Sequence, residues 1–392
     1  MKNKIEDVLF LTIKSLFCEL SLASLSLTEE ERAALYSLAK QQDAAHLVGM
    51  ALDRQGLLSA ESELTKKFKK QQMVAMLRRE RLDYELSEIR RVLEEAGIRF
   101  LPLKGAVISR LYPTPWLRTS CDIDLLVDEA SIDACAALLS EQLGYRAEAE
   151  RNYHDLSLYA PSGVHLELHF SILEDMEQID GELARVWEFA SPIREGSFEY
   201  SLSNEYLVFH TVAHAAYHFA RGGCGIRPML DLFLMKEKLT LDEDVLRAHL
   251  SRCDLVVFYE RMLALSQVWF SDGAPSALTD AMQEYLLSGG VYGSLENHVS
   301  VAQGRQGGKR GYLLRRIFLP YEDLCLQYPV LKRSAWLLPI CEVRRWCRIL
   351  FGGRARRSMR EIRVTTQISE EKVDRTAELM AELGLCQENK KA

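Results

Sequence analysis

Two aspartates separated by one residue, Asp122 and Asp124, stand at the start of an apolar run, and a lysine and glycine, Lys104-Gly105, stand at the end of an earlier one. On a strand the alternation of side chains puts both carboxylates on one face while Ile123 and Leu125 point to the other. Two hard oxygen ligands at that spacing can share or clamp Mg²⁺, which suits in-line attack on a nucleotide α-phosphate. A third carboxylate is expected from Val164 to Phe170, whose alternation puts His165, Glu167 and His169 on one face, with Glu167 the candidate. Both histidines are expected to line the same cleft; beside an oxygen site for Mg²⁺ they are poor metal ligands.

The elements around these residues can be read locally. Ile98 to Leu103 is short and β-rich, as a buried strand is, and Gly105 offers a sharp turn into a short helix, Ala106 to Leu111, stopped by Pro113 and Pro115. A helix opening there would offer backbone N–H groups to phosphate. Lys104 adds a mobile charge and Arg118 a planar fork.

This order of features resembles the DNA polymerase β superfamily of nucleotidyltransferases. It is most similar to a bacterial branch labelled uncharacterised nucleotidyltransferase, through Leu103-Lys104-Gly105-Ala106, Tyr112-Pro113, Arg118 and Asp122 to Leu126. It also resembles the Lys-Gly-Gly-Thr nucleotidyltransferase toxins, with Ala106 in place of their second glycine; the superfamily's Gly-Ser pair is absent. The resemblance implies a metal-dependent enzyme that moves a nucleoside monophosphate from an NTP, with Mg²⁺ or Mn²⁺, to an acceptor such as a small molecule, a protein or RNA. It implies Asp122, Asp124 and Glu167 as metal ligands and catalytic groups, and Lys104, Gly105 and Arg118 as the phosphate contacts. A catalytically silent nucleotide-binding or interaction module and a toxin-like RNA (tRNA) nucleotidyltransferase are the alternatives. The family's His-x-x-x-His helix, followed by Arg and Asp-Leu, is matched by His214, His218, Arg227 and Asp231, which the resemblance places along the cleft. His210, His214 and His218 share one helical face. Ile317 to Pro320, Tyr328-Pro329 and Leu337-Leu338-Pro339 with Arg344-Arg345 resemble a C-terminal block of the family, so the resemblance runs over roughly residues 95 to 350.

The 392 residues, 48% of them hydrophobic, suffice for two or three domains, and a net charge of −7 excludes a generally basic surface. The fold class expected is α+β: a small mixed sheet at 96–175, an N-terminal helical region at 1–95 and a mainly helical region at 176–392. The N-terminal helices include one opened by a capping box at Thr28 and a long one from about Glu61 to Glu95, with an apolar line through Val74, Leu77, Leu82, Leu86, Ile89 and Leu93, ended by Gly97. Nine cysteines without a CxxC pair, no secretory signal and no stretch fit to span a bilayer point to the cytoplasm. Between Glu342 and Glu361 lie seven arginines, one tryptophan and no acid, a segment suited to RNA or an anionic surface.

Overall fold

A computed structural model describes residues 2–59, 61–148, 151–351 and 355–385; the side chains of Lys2, Asn3, Leu326, Ile349 to Phe351 and Ala355 to Met359 are not described. Two compact units are present, Met1–Tyr217 with Ile226–Asp280, and His218–Gly225 with Ala281–Ala392. The expected N-terminal helices and sheet thus share one unit with the first helices that follow them.

The first unit opens with α1 (Lys2–Lys14), α2 (Glu29–Gln41), α3 (Ala45–Arg54) and α4 (Glu63–Ala96). The capping box at Thr28 forms: its hydroxyl accepts from Glu31 N, and the Glu31 carboxylate accepts from Thr28 N. Gly97 ends α4 in the left-handed region, at φ +67°.

The seam of α4 differs from the line read in the sequence. Val74 and Leu77 are exposed, at 39% and 53%, and the buried positions in the first half are Thr65, Phe68, Gln72 and Ala75, packed toward α3. These continue into Leu82, Leu86, Ile89 and Leu93 at alternating steps of three and four. Three polar residues, Thr65, Gln72 and Arg79, occupy seam positions, and their polarity masks the stripe.

The sheet is built from β1 (Phe100–Pro102), β2 (Asp122–Val127), β3 (Arg146–Ala147), β4 (Asp155–Tyr159) and β5 (His165–His169), ordered β1-β2-β5-β4-β3. Only β2 and β5 run parallel. This is the small mixed sheet expected, with strands one or two residues shorter at their ends. Between β1 and β2 lies α5 (Gly105–Ile108), continued by a 3₁₀ turn to Leu111; α6 (Ile132–Leu143) bridges β2 to β3. Period-two alternation sorts the two faces. Ile123, Leu125, Leu166 and Leu168 are buried in one core with Leu86, Ile89 and Val92 of α4 and Ile132 and Leu139 of α6. Each fully buried leucine there is worth about 1.5–3 kcal/mol. The opposite face carries the aspartates, Glu167 and the histidines of β5.

The unit continues with α7 (Glu177–Leu183), a hairpin of β6 (Ala190–Pro192) and β7 (Tyr200–Leu202), then α8 (Asn204–Phe219), α9 (Arg227–Lys238), α10 (Glu243–Arg252) and α11 (Val256–Phe270), with α9 packed on α11 and α11 on α1. After α12 (Ala277–Leu287), the second unit holds α13 (Leu295–Arg305), α14 (Gly308–Ile317), α15 (Tyr321–Gln327), α16 (Leu338–Phe351), α17 (Ala355–Gln367) and α18 (Glu370–Glu382). Its α13 packs against α14, α17 and α18. Buried Asn297 donates to the Gly222 and Tyr285 carbonyls, and a Cβ on Gly293 would lie 2.1 Å from Gly222 O, so glycine is required there.

Among the described residues no helix is long and apolar enough to cross a membrane. No disulfide joins the eight described cysteines; Cys386 lies outside the described residues.

Candidate active site

The parallel register of β2 and β5 sets Asp122 opposite His165 and Asp124 opposite Glu167. Ligand atoms of Asp122, His165 and Glu167 lie within 4.8 Å of one another, and so do those of Asp124, Glu167 and His169. The three expected acids therefore come together, with Glu167 common to both groups. Among the described residues these are the groups able to hold a metal ion, and the His210, His214, His218 face forms none.

Charge within the cluster is arranged unevenly. Asp124 is 4% exposed, and its Oδ1 accepts from Lys104 Nζ at 2.9 Å and from His169 Nε2 at 3.2 Å. Burial alone would raise its pKa, but the Lys104 charge and the His169 bond hold it well below the usual range. Glu167 is lowered by its His169 contact at 3.4 Å, against the opposing effect of burial. Asp122, which accepts from Ser120 Oγ at 3.0 Å, is raised by burial and by the two neighbouring carboxylates. For Lys104 burial works against the charge, and Asp124 outweighs it, so the amine is held protonated.

Lys104 reaches Asp124 from an unusual backbone. Its φ of +42° with ψ −111° lies outside the common regions for a side-chain-bearing residue, a cost of about 1–3 kcal/mol. The sharp turn expected of Gly105 is made by Lys104. Gly105 is required for space instead: a Cβ there would lie 2.9 Å from Ser120 Oγ and 3.0 Å from Arg118 Nη1. The strained turn is anchored by Arg79, which donates Nη1–H to Ser109 Oγ at 2.8 Å and to Gly105 O at 3.4 Å, and by Leu103 N–H on Asp124 O. The expected phosphate seat on helix N–H groups is largely filled, since α5 has four residues and Ala106 N and Val107 N donate to Leu103 O and Lys104 O.

Arg118 is only 7% exposed, and its Nε and Nη2 donate to Asp231 at 2.8 Å each. The fork expected to meet a triphosphate meets Asp231, while Nη1 lies beside Gly105. Tyr112 OH donates to the same Asp231 at 2.8 Å. Arg227 Nη1 donates to Thr119 O, His46 Nε2 meets Leu117 O at 2.8 Å, and Thr119 Oγ1 donates to Asp43. Asp231 and Arg227, expected along the cleft, thus clamp the loop that leads into Asp122.

The remaining histidines divide. His165 stacks on Tyr159, its Nε2 meeting Ser157 Oγ at 3.2 Å. His169 sits between Asp124 and Glu167, with its ring stacked on His154. His214 Nδ1 is 2.5 Å from Glu174 Oε1, while His218 belongs to the second unit.

The family described as uncharacterised nucleotidyltransferase matches residues 28–271. The chain belongs to that family. The match to this nucleotidyltransferase family takes in α2 to α11, hence every residue of the site above and the clamp from α3 and α9. It stops short of the Pro320, Tyr328-Pro329 and Arg344-Arg345 block, which lies beyond the matched residues, and it begins well before residue 95. No curated protein and no solved structure is significantly similar to the chain.

Sequence reasoning missed Arg79, Ser120, Glu174, Asp43 and His46. Each is an ordinary polar residue in the sequence, and only the polar interruption of the α4 seam at Arg79 could have drawn notice. The arginine segment is also divided: Arg345 is buried, with bonds to Glu342 and Ile317 O, and Arg344 and Arg348 lie over the Tyr328 ring. Arg354 lies outside the described residues, as do the side chains of Arg356 and Arg357.

Proposed function

We propose that this nucleotidyltransferase transfers a nucleoside monophosphate from an NTP to an acceptor hydroxyl, with Asp122, Asp124 and Glu167 holding one or two Mg²⁺ or Mn²⁺ ions. The observation that carries this reading is the β2–β5 register, which converges three carboxylates on the sheet face opposite its leucine core. The donor set fits such a cation: the ligands are carboxylate oxygens, and two of the three acids have lowered pKa values and stay ionised. A bound cation would supply positive charge to the phosphates of the NTP.

The chain's own groups do the rest. Lys104, held protonated, exchanges part of its contact with Asp124 for an anionic phosphate oxygen arriving beside the cluster. Its strained turn keeps the amine aimed at the cluster before substrate binds, which spares reorganisation during the reaction. Glu167 serves as a ligand rather than a proton acceptor, because the His169 bond stabilises its charged form. His169 keeps the facing carboxylates Asp124 and Glu167 together. Arg118 acts through Asp231 as a positioning residue for the Thr119 to Asp122 segment. The new bond joins the acceptor oxygen to Pα, the acceptor's O–H proton passes to solvent water, the bond from Pα to the bridging oxygen breaks, and pyrophosphate leaves.

Titration of Mn²⁺ followed by electron paramagnetic resonance tests the site directly. The wild type should take up the ion, more tightly with NTP present, and Asp124→Asn and Glu167→Gln should each weaken uptake. Uptake unchanged in both variants would remove the metal assignment.

A further inference from the structure

In the second unit a 3₁₀ turn, Ala335–Leu337, runs directly into α16. Nine positions between Ala335 and Arg348 are exposed. Two are arginines, Arg344 and Arg348; the other seven are apolar, with Trp336, Ile340 and Val343 among them, and none is acidic. Trp336, Ile340, Val343 and Cys347 recur at steps of four, three and four, so they form one stripe along the helix, with the two arginines on its flank. Of the five tryptophans, all of them among the described residues, Trp336 alone is exposed, at 75%.

The orientation is held by what α16 puts inside. Arg345 is buried and pairs with Glu342 at 2.9 Å, the Glu342 carboxylate accepts from Leu319 N, and Arg345 and Trp346 both donate to Ile317 O. A helix that docks on a core usually turns its apolar stripe inward and its charges to water. Here the charged pair faces the neighbouring segment and the apolar stripe faces out, so rotating the helix to hide the stripe would break a buried ion pair. Apolar surface held exposed in this way marks a contact surface.

Charge and extent narrow what the stripe meets. Lys332 and Arg333, exposed just before the turn, join Arg344 and Arg348, and among the described residues none of the four lies within ion-pair distance of a carboxylate. Arg344 and Arg348 sit over the Tyr328 ring, at 5.9 and 5.7 Å, and with Val330 line a groove of about 740 Å³; Arg348 also donates to Gln327 Oε1. Guanidinium groups on apolar stems suit phosphate at the boundary between water and hydrocarbon. The stripe is about 20 Å long and one helix wide, roughly 200 Å², well short of the about 800 Å² that each partner gives to a stable protein interface. Apart from Trp336 its members offer nucleic acid neither a strong hydrogen bond nor a stacking ring. Tryptophan and aliphatic side chains flanked by arginine are the composition of a helix that lies in a membrane interface. We infer that this face docks the protein on a membrane surface rich in anionic phospholipid, the stripe entering the acyl boundary and the arginines meeting headgroup phosphates. The inference stands on the second unit alone and does not depend on the transfer reaction.

Co-sedimentation of the full chain with vesicles of equal parts phosphatidylglycerol and phosphatidylcholine, at low salt, tests it. The wild type should bind these vesicles, more weakly as salt rises and much more weakly when the vesicles are phosphatidylcholine alone. Arg344→Gln with Arg348→Gln should lower the affinity about 25-fold, fivefold for each charge, and Trp336→Ser with Ile340→Ser should lower it about tenfold or more. All four positions are exposed, so both double variants should melt near the wild type, and Met73→Ser, at an exposed apolar position of α4, should bind as the wild type does. With brominated acyl chains, tryptophan fluorescence should be quenched in the wild type but not in Trp336→Phe, which should still sediment with the vesicles. Absence of wild-type binding, unchanged affinity in either double variant, or undiminished quenching in Trp336→Phe would overturn the inference. So would single-stranded RNA bound more tightly than the vesicles at low salt, or a wild-type dimer that Trp336→Ser with Ile340→Ser dissociates.

Discussion

Asp124 and Glu167 face each other across the one parallel strand pair of the sheet, and His169 Nε2 lies 3.2 Å from the first and 3.4 Å from the second. Two carboxylates so placed repel each other, and the imidazole between them, with Lys104 2.9 Å from Asp124, offsets that repulsion. The charge needed to hold acids together is thus built into the fold, from β5 on one side and the turn after β1 on the other.

Lys104 combines an active-site charge with a backbone that favours glycine. Lys104→Gly should be more stable than Lys104→Ala by roughly 1 kcal/mol, because glycine adopts positive φ without strain. Both variants should lose nucleotide transfer. Chemical denaturation of the pair, beside an activity assay, checks this; an alanine variant as stable as the glycine one would show that the turn is not strained.

Asp231 and Arg118 form a pair almost closed to solvent, 4% and 7% exposed at their side chains. Asp231→Asn should cost about 3–5 kcal/mol, since it strands a buried guanidinium. Arg118→Met with Asp231→Leu should recover much of that loss while transfer stays impaired, because the segment leading into Asp122 loses its clamp. Denaturation midpoints of the single and double variants decide the matter, and strictly additive losses would contradict the pairing.

His210 is 2% exposed, and burial, followed by the neighbouring His214 and Lys104 charges, pushes its pKa down to about 3 from 6.5. The unfolded chain therefore takes up this proton first as pH falls. The stability from neutral His210 is complete above about pH 6.5 and is lost between there and about pH 3, at no more than about 1.4 kcal/mol per pH unit. Thermal melts of wild type and His210→Gln should differ more at pH 7.5 than at pH 5. A gap that does not change with pH would exclude His210 as the titrating group.

The sheet face was legible because a strand's period of two is strict: once Asp122 and Asp124 fall on one face, Ile123 and Leu125 must fall on the other, and the same holds for Glu167 between Leu166 and Leu168. The capping box at Thr28 and the left-handed glycine after α4 were legible for a similar reason, since each is a local requirement. What stayed hidden was long-range. Arg118 and Asp231 are 113 residues apart, and nothing local says that the guanidinium will spend its fork on that carboxylate. The α4 seam was misread where Thr65, Gln72 and Arg79 replace apolar residues, and Arg79 is there because its guanidinium must reach Ser109 and Gly105.

The central claim is that the carboxylate cluster directs attack at the α-phosphate. The most direct measurement incubates the protein with Mg²⁺, cell extract and ATP, GTP, CTP or UTP labelled at the α- or the γ-phosphorus, in parallel with Asp124→Asn. The account predicts that α-label passes to an acceptor, that γ-label leaves as pyrophosphate, and that the variant slows transfer about a hundredfold or more while remaining folded. Transfer of γ-label to the acceptor, or α-label transfer undiminished in the variant, would contradict it.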